Sequence, residues 1–502
     1  MTGNIFAFFS ASAKAAGDKP CLVEGNESRL RYDELDSTTA RWASALVAAG
    51  AAPSDRILVQ VEKSVENVLL YLASLRAGLV YVPLNTAYTA AELEYFIGDA
   101  EPAIIICDPA KREAISPIVG DAALFTLGSD GAGSLIDHVE TAADSSFETV
   151  ARDDDDLAAI CYTSGTTGRS KGAMLSHANL ISNALVLRDY WHWQADDILI
   201  HALPVYHVHG LFVALHLALL GGSTIRFHRS FDADAVLDDM AQATVLMGVP
   251  TFYVRLAAHD RLTRETTASI RLFLSGSAPL LESTFAVFAA KTGHQILERY
   301  GMTEAGMICS NPYDGDRIPG TVGFPLPSVE ARVADETGVE VIRGEPGVLE
   351  IKGPSLFRGY WQNPDKTAEE MRVDGYFVTG DIATMDIDGR VAIVGRAKDL
   401  IIAGGLNIYP KEIELTIDAM AGVRESAVIG VPHPDLGEAA VAVVVRETDG
   451  LDEAAILDAI AGGLARFKQP RRILFADALP RNAMGKVQKA KLRDEHRALF
   501  SD

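Results

Sequence analysis

The sequence predicts an α/β protein built on mostly parallel sheets, and three observations carry that prediction. Short apolar runs of strand length recur at 57–61, 79–84, 103–107 and 157–161. Stretches with apolar residues at helical spacing, 65–75 and 90–100, lie between them, and this alternation marks strand–helix–strand units. Several strands then run into loops of Gly, Ser, Pro and His, and in such sheets ligands gather beyond the carboxyl ends of strands.

Composition bounds what the chain can be. Its 502 residues exceed one ordinary domain and fit two to four. It is 48% hydrophobic and 23% charged, which supplies a large core. A net charge of −23 argues against a nucleic-acid or anionic-membrane partner, so cations that serve an anionic ligand must be local. Cys21, Cys107, Cys161 and Cys309 stand far apart without a CxxC pair, which suits a reduced cytoplasmic compartment rather than a disulfide framework or zinc site. The apolar patch at 5–9 has no preceding Lys or Arg and makes a poor signal peptide. The longest apolar stretch, 211–220, is interrupted by His216 and is too short to span a bilayer.

In chain order, the four aspartates at 153–156 read as a solvated turn, and the strand after them runs into YTSGTTGRSKG at 162–172. Gly165, Gly168 and Gly172 allow close backbone approach. Ser164, Thr166, Thr167 and Ser170 bring hydroxyls, and Arg169 and Lys171 bring positive charge. Successive backbone N–H groups in such a loop form an anion-binding concavity, here of polyphosphate size. It is not a Walker loop, because a serine precedes Lys171 and a glycine follows it. A strand at 198–203 leads into PVYHVHG, whose two histidines have no third ligand at metal spacing. Strands at 245–250 and 271–276 follow, the second continuing as SGSAPL, small residues that let a backbone approach a flat ligand. ERYGMTE occupies 298–304. Residues 350–385 read as short strands and turns, with the Gly–Asp pair at Asp381, and GRAKD at 395–399 reads as a charged linker. The segment 466–493 is rich in Arg and Lys, unlike the rest of the chain.

YTSGTTGRSKG resembles the phosphate loop of the adenylate-forming enzymes, the family of acyl-CoA synthetases, luciferases and peptide-synthetase adenylation domains. YGMTE and the stretch PRNAMGKVQK at 480–489 resemble two further family signatures, and the motifs stand in family order across nearly the whole chain. The resemblance implies the adenylate-forming fold: an N-terminal domain of α/β sheets with a β-rich subdomain over 1–395, a hinge at 396–398, and a small mobile α+β C-terminal domain over 399–502. It implies ATP, Mg2+ and coenzyme A. By the same resemblance Thr163, Ser164, Gly165, Thr166, Thr167, Gly168 and Lys171 hold phosphate, and Ser277 and Ala278 lie against adenine, on which Tyr300 stacks. Thr303 contacts phosphate, Glu304 holds magnesium, and Asp381 and Arg396 reach the ribose. Lys398 is the hinge, and Gly404 and Gly405 line the tunnel for the pantetheine arm. Lys486 is the catalytic lysine of adenylate formation, and control by a lysine acetyltransferase and deacetylase is implied for it. His207 lines the acyl pocket, and His209 is left to the scaffold. The basic segment 466–493 is either a solvated face or a dock for the phosphorylated nucleotide of coenzyme A.

Arg299 bears on which acid is used. An arginine beside a reacting carboxylate is costly in an apolar pocket unless paired, and it suits a second carboxylate held by its planar fork. Arg255 is a second candidate for that role. Taken whole, with GSAPLL, ERYGMTE and NPYDGDRIPG, the chain closely resembles the malonate-activating branch of the family. The expected activity is ATP-dependent ligation of malonate to coenzyme A through an acyl-adenylate, with small molecules as the only partners besides the modifying enzymes. The stretch AGMIC at 305–309 departs from that branch and leaves methylmalonate or another short acid open. A carrier-protein thiol in place of coenzyme A is the other alternative.

Overall fold

The computed structural model describes residues 3–142, 146–163, 170–404, 406–448, 450–461, 464–482 and 485–500. Ser164, Gly165, Thr166, Thr167, Gly168 and Gly405, six of the expected site residues, lie outside the described residues.

The alternating pattern of the first half becomes a six-stranded sheet ordered Ala123–Thr126, Ile104–Cys107, Arg56–Gln60, Val80–Pro83, Leu157–Thr163, Lys171–Ser176. Its pairs are parallel except the last, which is antiparallel and matches Thr163 with Lys171. The phosphate-loop motif therefore has strand on both sides, and its first and last residues are already in the ladder. The helix Val65–Arg76 starts where the Ser64 side chain accepts the Asn67 N–H, and nearly every one of its residues is buried. Thr89 and Glu92 form a capping box that starts Ala90–Ala100.

A second, nine-stranded sheet has at its centre the parallel strands Leu297–Met302, Leu272–Ser275, Val245–Gly248, Ile198–His201 and Thr224–Phe227. One apolar core joins this sheet, the first sheet and the helices Ile5–Ala16, Tyr32–Ala48, Val65–Arg76 and His177–Tyr190. The long apolar stretch is a buried π-type helix, His209–Leu215, that continues as the α-helix His216–Gly221. No helix among the described residues is long and apolar enough to cross a membrane. All four cysteines are free and buried.

A four-stranded antiparallel sheet follows, ordered Glu330–Ala334, Gly347–Lys352, Phe377–Met385, Val391–Arg396. The segment 395–399 is not wholly a linker. Gly395 and Arg396 end a strand in register with Ile382 and Asp381, and only the single turn Ala397–Asp399 separates that strand from the next sheet. That sheet pairs Val423–His433 with Gly437–Arg446 and buries a core on each face, one around Ile413, Val428 and Ile456, the other around Ile429, Val441 and Leu492. Every buried member of both cores lies at or beyond Ile401, as expected of a unit with its own core.

Candidate active site

The carboxyl ends of the central parallel strands, with Thr163 of the first sheet, supply the site, and the sequence after each strand fixes what it offers. Ser275 closes Leu272–Ser275 and Gly276 follows; a side chain at 276 would collide with the Arg299 guanidinium. Ser277 sits at φ +72, a left-handed conformation rare for a non-glycine residue, and strain of this kind concentrates at functional sites. Ser277 Oγ lies 3.3 Å from His209 Nδ1. His209 opens the π-type helix, a geometry often found at functional sites. His201 steadies that helix by donating to the Gly210 carbonyl at 2.9 Å, and buried Lys63 donates to His201 Nδ1 at 2.9 Å.

Arg299, on Leu297–Met302, is 3% exposed, and its Nε and Nη2 have no hydrogen-bond partner among the described residues. Burial lowers its pKa to about 9, so it still carries its charge at neutral pH. Alternation along the strand sends Glu298 to the other face, where it accepts the Leu280 N–H at 3.1 Å. Burial lifts the Glu298 carboxyl to about 7, and the described ion pairs include none between the two. His207 is held neutral, its pKa lowered to about 3 by burial and then by the charges of Lys486 and Arg299. Its Nδ1 accepts the His209 N–H at 3.3 Å. His209 is pushed well down by the same burial, and its Nε2 is buried without a partner. Arg299 Nε and Nη2 and His209 Nε2 are thus buried without a partner among the described residues, in a class of group that is almost always satisfied.

The structure corrects two expectations here. His209, left to the scaffold, joins Arg299. Arg255 does not: on the helix Pro250–Ala258 the buried positions are Pro250, Tyr253, Leu256 and Ala257, and Arg255 falls on the exposed side.

A second group surrounds Asp381. Tyr300 donates its hydroxyl to Asp381 Oδ2, and Arg396 Nε reaches Oδ1 at 3.0 Å. Lys486 arrives from the C-terminal sheet on a short hairpin closed by the Arg481–Val487 bridge. Gly485 beside it packs so closely on the large domain that a Cβ there would lie 3.3 Å from Thr251 Cγ2. Lys486 is lowered to about 8, by burial first and then by the charges of Arg396 and Arg299, against the opposing pull of Asp381 and Glu304. Lys486 therefore stands among the two arginines and two carboxylates.

A third group is built on Glu304, which is 6% exposed and raised in pKa by burial. Its Oε1 lies 3.1 Å from the Tyr360 hydroxyl oxygen and 3.5 Å from Thr163 Oγ1. Lys171 Nζ is 3.0 Å from Glu370 and 4.1 Å above the Tyr360 ring. Thr303 adjoins Glu304 and is half-buried, as Ala278 is beside Ser277. Among the described residues no cluster of three or more His, Cys, Asp or Glu could hold a metal unaided. A magnesium ion bound with a nucleotide needs only one or two carboxylates besides phosphate oxygens, and Glu304 with its oxygen neighbours fits that demand.

Two expected residues stand apart. Gly404 is exposed at the tip of the hairpin formed by Ile401–Ala403 and Leu406–Ile408, with only Leu436 within 4 Å of where a side chain would project. Lys398 lies in the exposed turn after Arg396. Within the basic segment Lys468, Arg472, Arg481, Lys489 and Arg493 pair with Glu412, Glu453, Glu425, Glu414 and Asp399, all of the same C-terminal unit. The paired, solvated reading of that segment is the one this geometry favours.

The family model described as AMP-binding enzyme matches residues 9–361, and the AMP-binding enzyme C-terminal domain matches 412–486. A feruloyl-CoA synthase of Amycolatopsis sp is 36% identical over 478 residues, covering 94% of this chain and 95% of that one. A malonate–CoA ligase of Arabidopsis thaliana is 35% identical over 520 residues, covering 96% of this chain and 85% of that one. Among solved structures, ATP-bound MatB from Rhodopseudomonas palustris is 55% identical over the full length of both chains, with a TM-score of 0.97. Matches that span both halves of the chain, around a site whose parts come from both, leave one assignment: the chain belongs to the family of AMP-binding enzymes.

Proposed function

We propose that this protein ligates malonate to coenzyme A at the expense of ATP, through a malonyl-adenylate, releasing pyrophosphate and AMP. The observation that carries the choice of acid is the pair of buried donors Arg299 Nε and Nη2, which have no partner among the described residues. A monocarboxylic acid would use its one carboxylate at the reacting end and leave these donors bare; a short dicarboxylic acid satisfies both ends. Its similarity to a malonate–CoA ligase and to MatB supports the same reading.

In the first half-reaction one malonate oxygen attacks the α-phosphorus of ATP, and pyrophosphate leaves. Both reactants are anionic, so the barrier is largely electrostatic. Lys171, Thr303 and Lys486 offset the charge, Tyr300 backs the purine, and Asp381 with Arg396 receives the ribose hydroxyls. Magnesium, held at Glu304 when the nucleotide is bound, neutralises phosphate charge. His207, kept neutral by burial, walls the acyl pocket without repelling Arg299. In the second half-reaction the coenzyme A sulfur attacks the acyl carbonyl and AMP leaves. We assign the adenylation domain to 1–395, the hinge to 396–398 around Lys398, and the mobile domain to 399–502. Rotation withdraws Lys486 and brings the Gly404 hairpin to the site. The free, buried cysteines suit a reducing compartment, and we assign the enzyme to the cytoplasm. Acetylation of Lys486 by an acetyltransferase, reversed by a deacetylase, would remove its charge and stop the first half-reaction.

The direct test is AMP release with coenzyme A across malonate, methylmalonate, propionate and butyrate. A preference for the monoacids would overturn the choice of substrate. Two further results are expected. Lys486 is charged below about 8 and neutral above it, so acid-dependent ATP–pyrophosphate exchange should fall as pH rises through about 8. Thioester formation from supplied adenylate should lack that alkaline limb. Lys398→Pro fixes φ near roughly −65° in the connecting turn. It should keep pyrophosphate exchange and lose thioester formation, and equal loss of both would move the hinge elsewhere.

A further inference from the structure

Lys171 already has an anionic partner among the described residues. Glu370 Oε1 is 3.0 Å from its ammonium, and the Tyr360 ring lies beneath at 4.1 Å. Glu370 Oε2 takes the Tyr360 hydroxyl at 2.6 Å, and that hydroxyl also lies 3.1 Å from Glu304 Oε1. One hydroxyl has one hydrogen, so it serves the nearer carboxylate, Glu370, and contributes little to Glu304. The segment carrying Tyr360 is tied to the Lys171 strand: Arg358 N donates to Met174 O at 2.8 Å, Met174 N to Gly359 O at 3.0 Å, and Trp361 N to Gly172 O at 2.7 Å. Tyr360 and Lys171 therefore move as one unit. Glu370 is different. It follows the short helix Pro364–Glu369, and it has a second cation, Lys366 Nζ, 3.2 Å from the oxygen that Lys171 uses. If Lys171 leaves, the Glu370 charge is not stranded.

We propose that Glu370 is a displaceable counter-ion of Lys171: it occupies the lysine in the free enzyme, yields it to the nucleotide's phosphates, and reclaims it as pyrophosphate departs. Glu370 and Tyr360 are thus positioning residues that set how tightly polyphosphate is held. This rests on the ATP-site reading above. The physical basis is competition: the resident carboxylate neutralises the ammonium's charge, holds one of its three hydrogens and repels a second anion, so an incoming phosphate binds more weakly than it would to a bare lysine. For a half-buried pair of this geometry the expected effect is roughly three- to tenfold.

The test is Glu370→Gln, which keeps the shape and removes the charge. Calorimetric titration of the enzyme with magnesium pyrophosphate should show binding tightened roughly three- to tenfold, with the KM for ATP lowered by a similar factor and pyrophosphate a stronger product inhibitor. Tyr360→Phe, which keeps the Glu370 charge and removes the donor that fixes it, should move the same quantities the same way by less. A purely structural role would lower the melting temperature and raise the KM. Weaker or unchanged pyrophosphate binding in both variants overturns the proposal. Failure of the parent enzyme to bind pyrophosphate or nucleotide at all would instead overturn the ATP-site reading.

Discussion

Lys486→Ala is expected to lower acid-dependent ATP–pyrophosphate exchange by roughly a hundred- to a thousandfold, the usual scale for removing one preorganised positive or donor group from a charge-building step. The same variant should convert supplied malonyl-adenylate and coenzyme A to thioester near the parental rate. Position motivates the asymmetry. Lys486 follows Gly485, which packs closely against Thr251 of the large domain. There it feels Asp381 and Glu304 on one side and Arg396 and Arg299 on the other. A group delivered by a movable unit acts only while that unit is docked. A variant that makes adenylate at the parental rate would remove Lys486 from the chemistry. One that loses both half-reactions equally would make it a structural residue.

Arg299→Ala is expected to reduce kcat/KM for malonate by roughly 30- to 5,000-fold, the equivalent of about 2–5 kcal/mol for stripping a buried charge of its partner. Activity on propionate should hold or rise, because the site then no longer carries a bare buried cation. Arg299→Lys should rescue poorly, since an ammonium lacks the planar fork. The ligand-free variant should melt no lower than the parent: the guanidinium it loses had two unsatisfied nitrogens in the free protein. If malonate and propionate activities fall in parallel, Arg299 shapes the loop rather than holding the second carboxylate. Its separation from Glu298, which faces Leu280, already weighs against such a loop role.

The fold was legible wherever period and caps agree. The helix over 65–75 and the strands at 104–107 and 272–275 lie where apolar spacing puts them, and Ser64 and Thr89 mark helix starts by side-chain chemistry that can be read locally. The residues that sequence reasoning missed are those whose meaning lies far along the chain. His209 meets Ser277, and Glu370 meets Lys171 199 residues away, only once the chain is folded. Arg255 was misplaced for the opposite reason. A cation next to an apolar segment reads equally well inward or outward until the helix phase is known, and Tyr253 and Leu256 settle that phase. Gly395 and Arg396 looked like linker because charge and glycine mark both linkers and strand ends; the partner strand ending in Asp381 decides between them.

The contact between Gly276 and the Arg299 guanidinium constrains how this pocket can change over generations. A side chain gained at 276 while arginine remains at 299 pushes the guanidinium out of its seat, so that path begins with a loss of fitness. Shortening 299 first opens a void over Gly276, which a later methyl or isopropyl group can fill. The two positions are therefore coupled: either change costs diacid activity, but only the loss of the arginine makes room for the other. A lineage moving from a diacid to a bulkier neutral acid would show the loss of the arginine as the older event and the loss of the glycine as the younger.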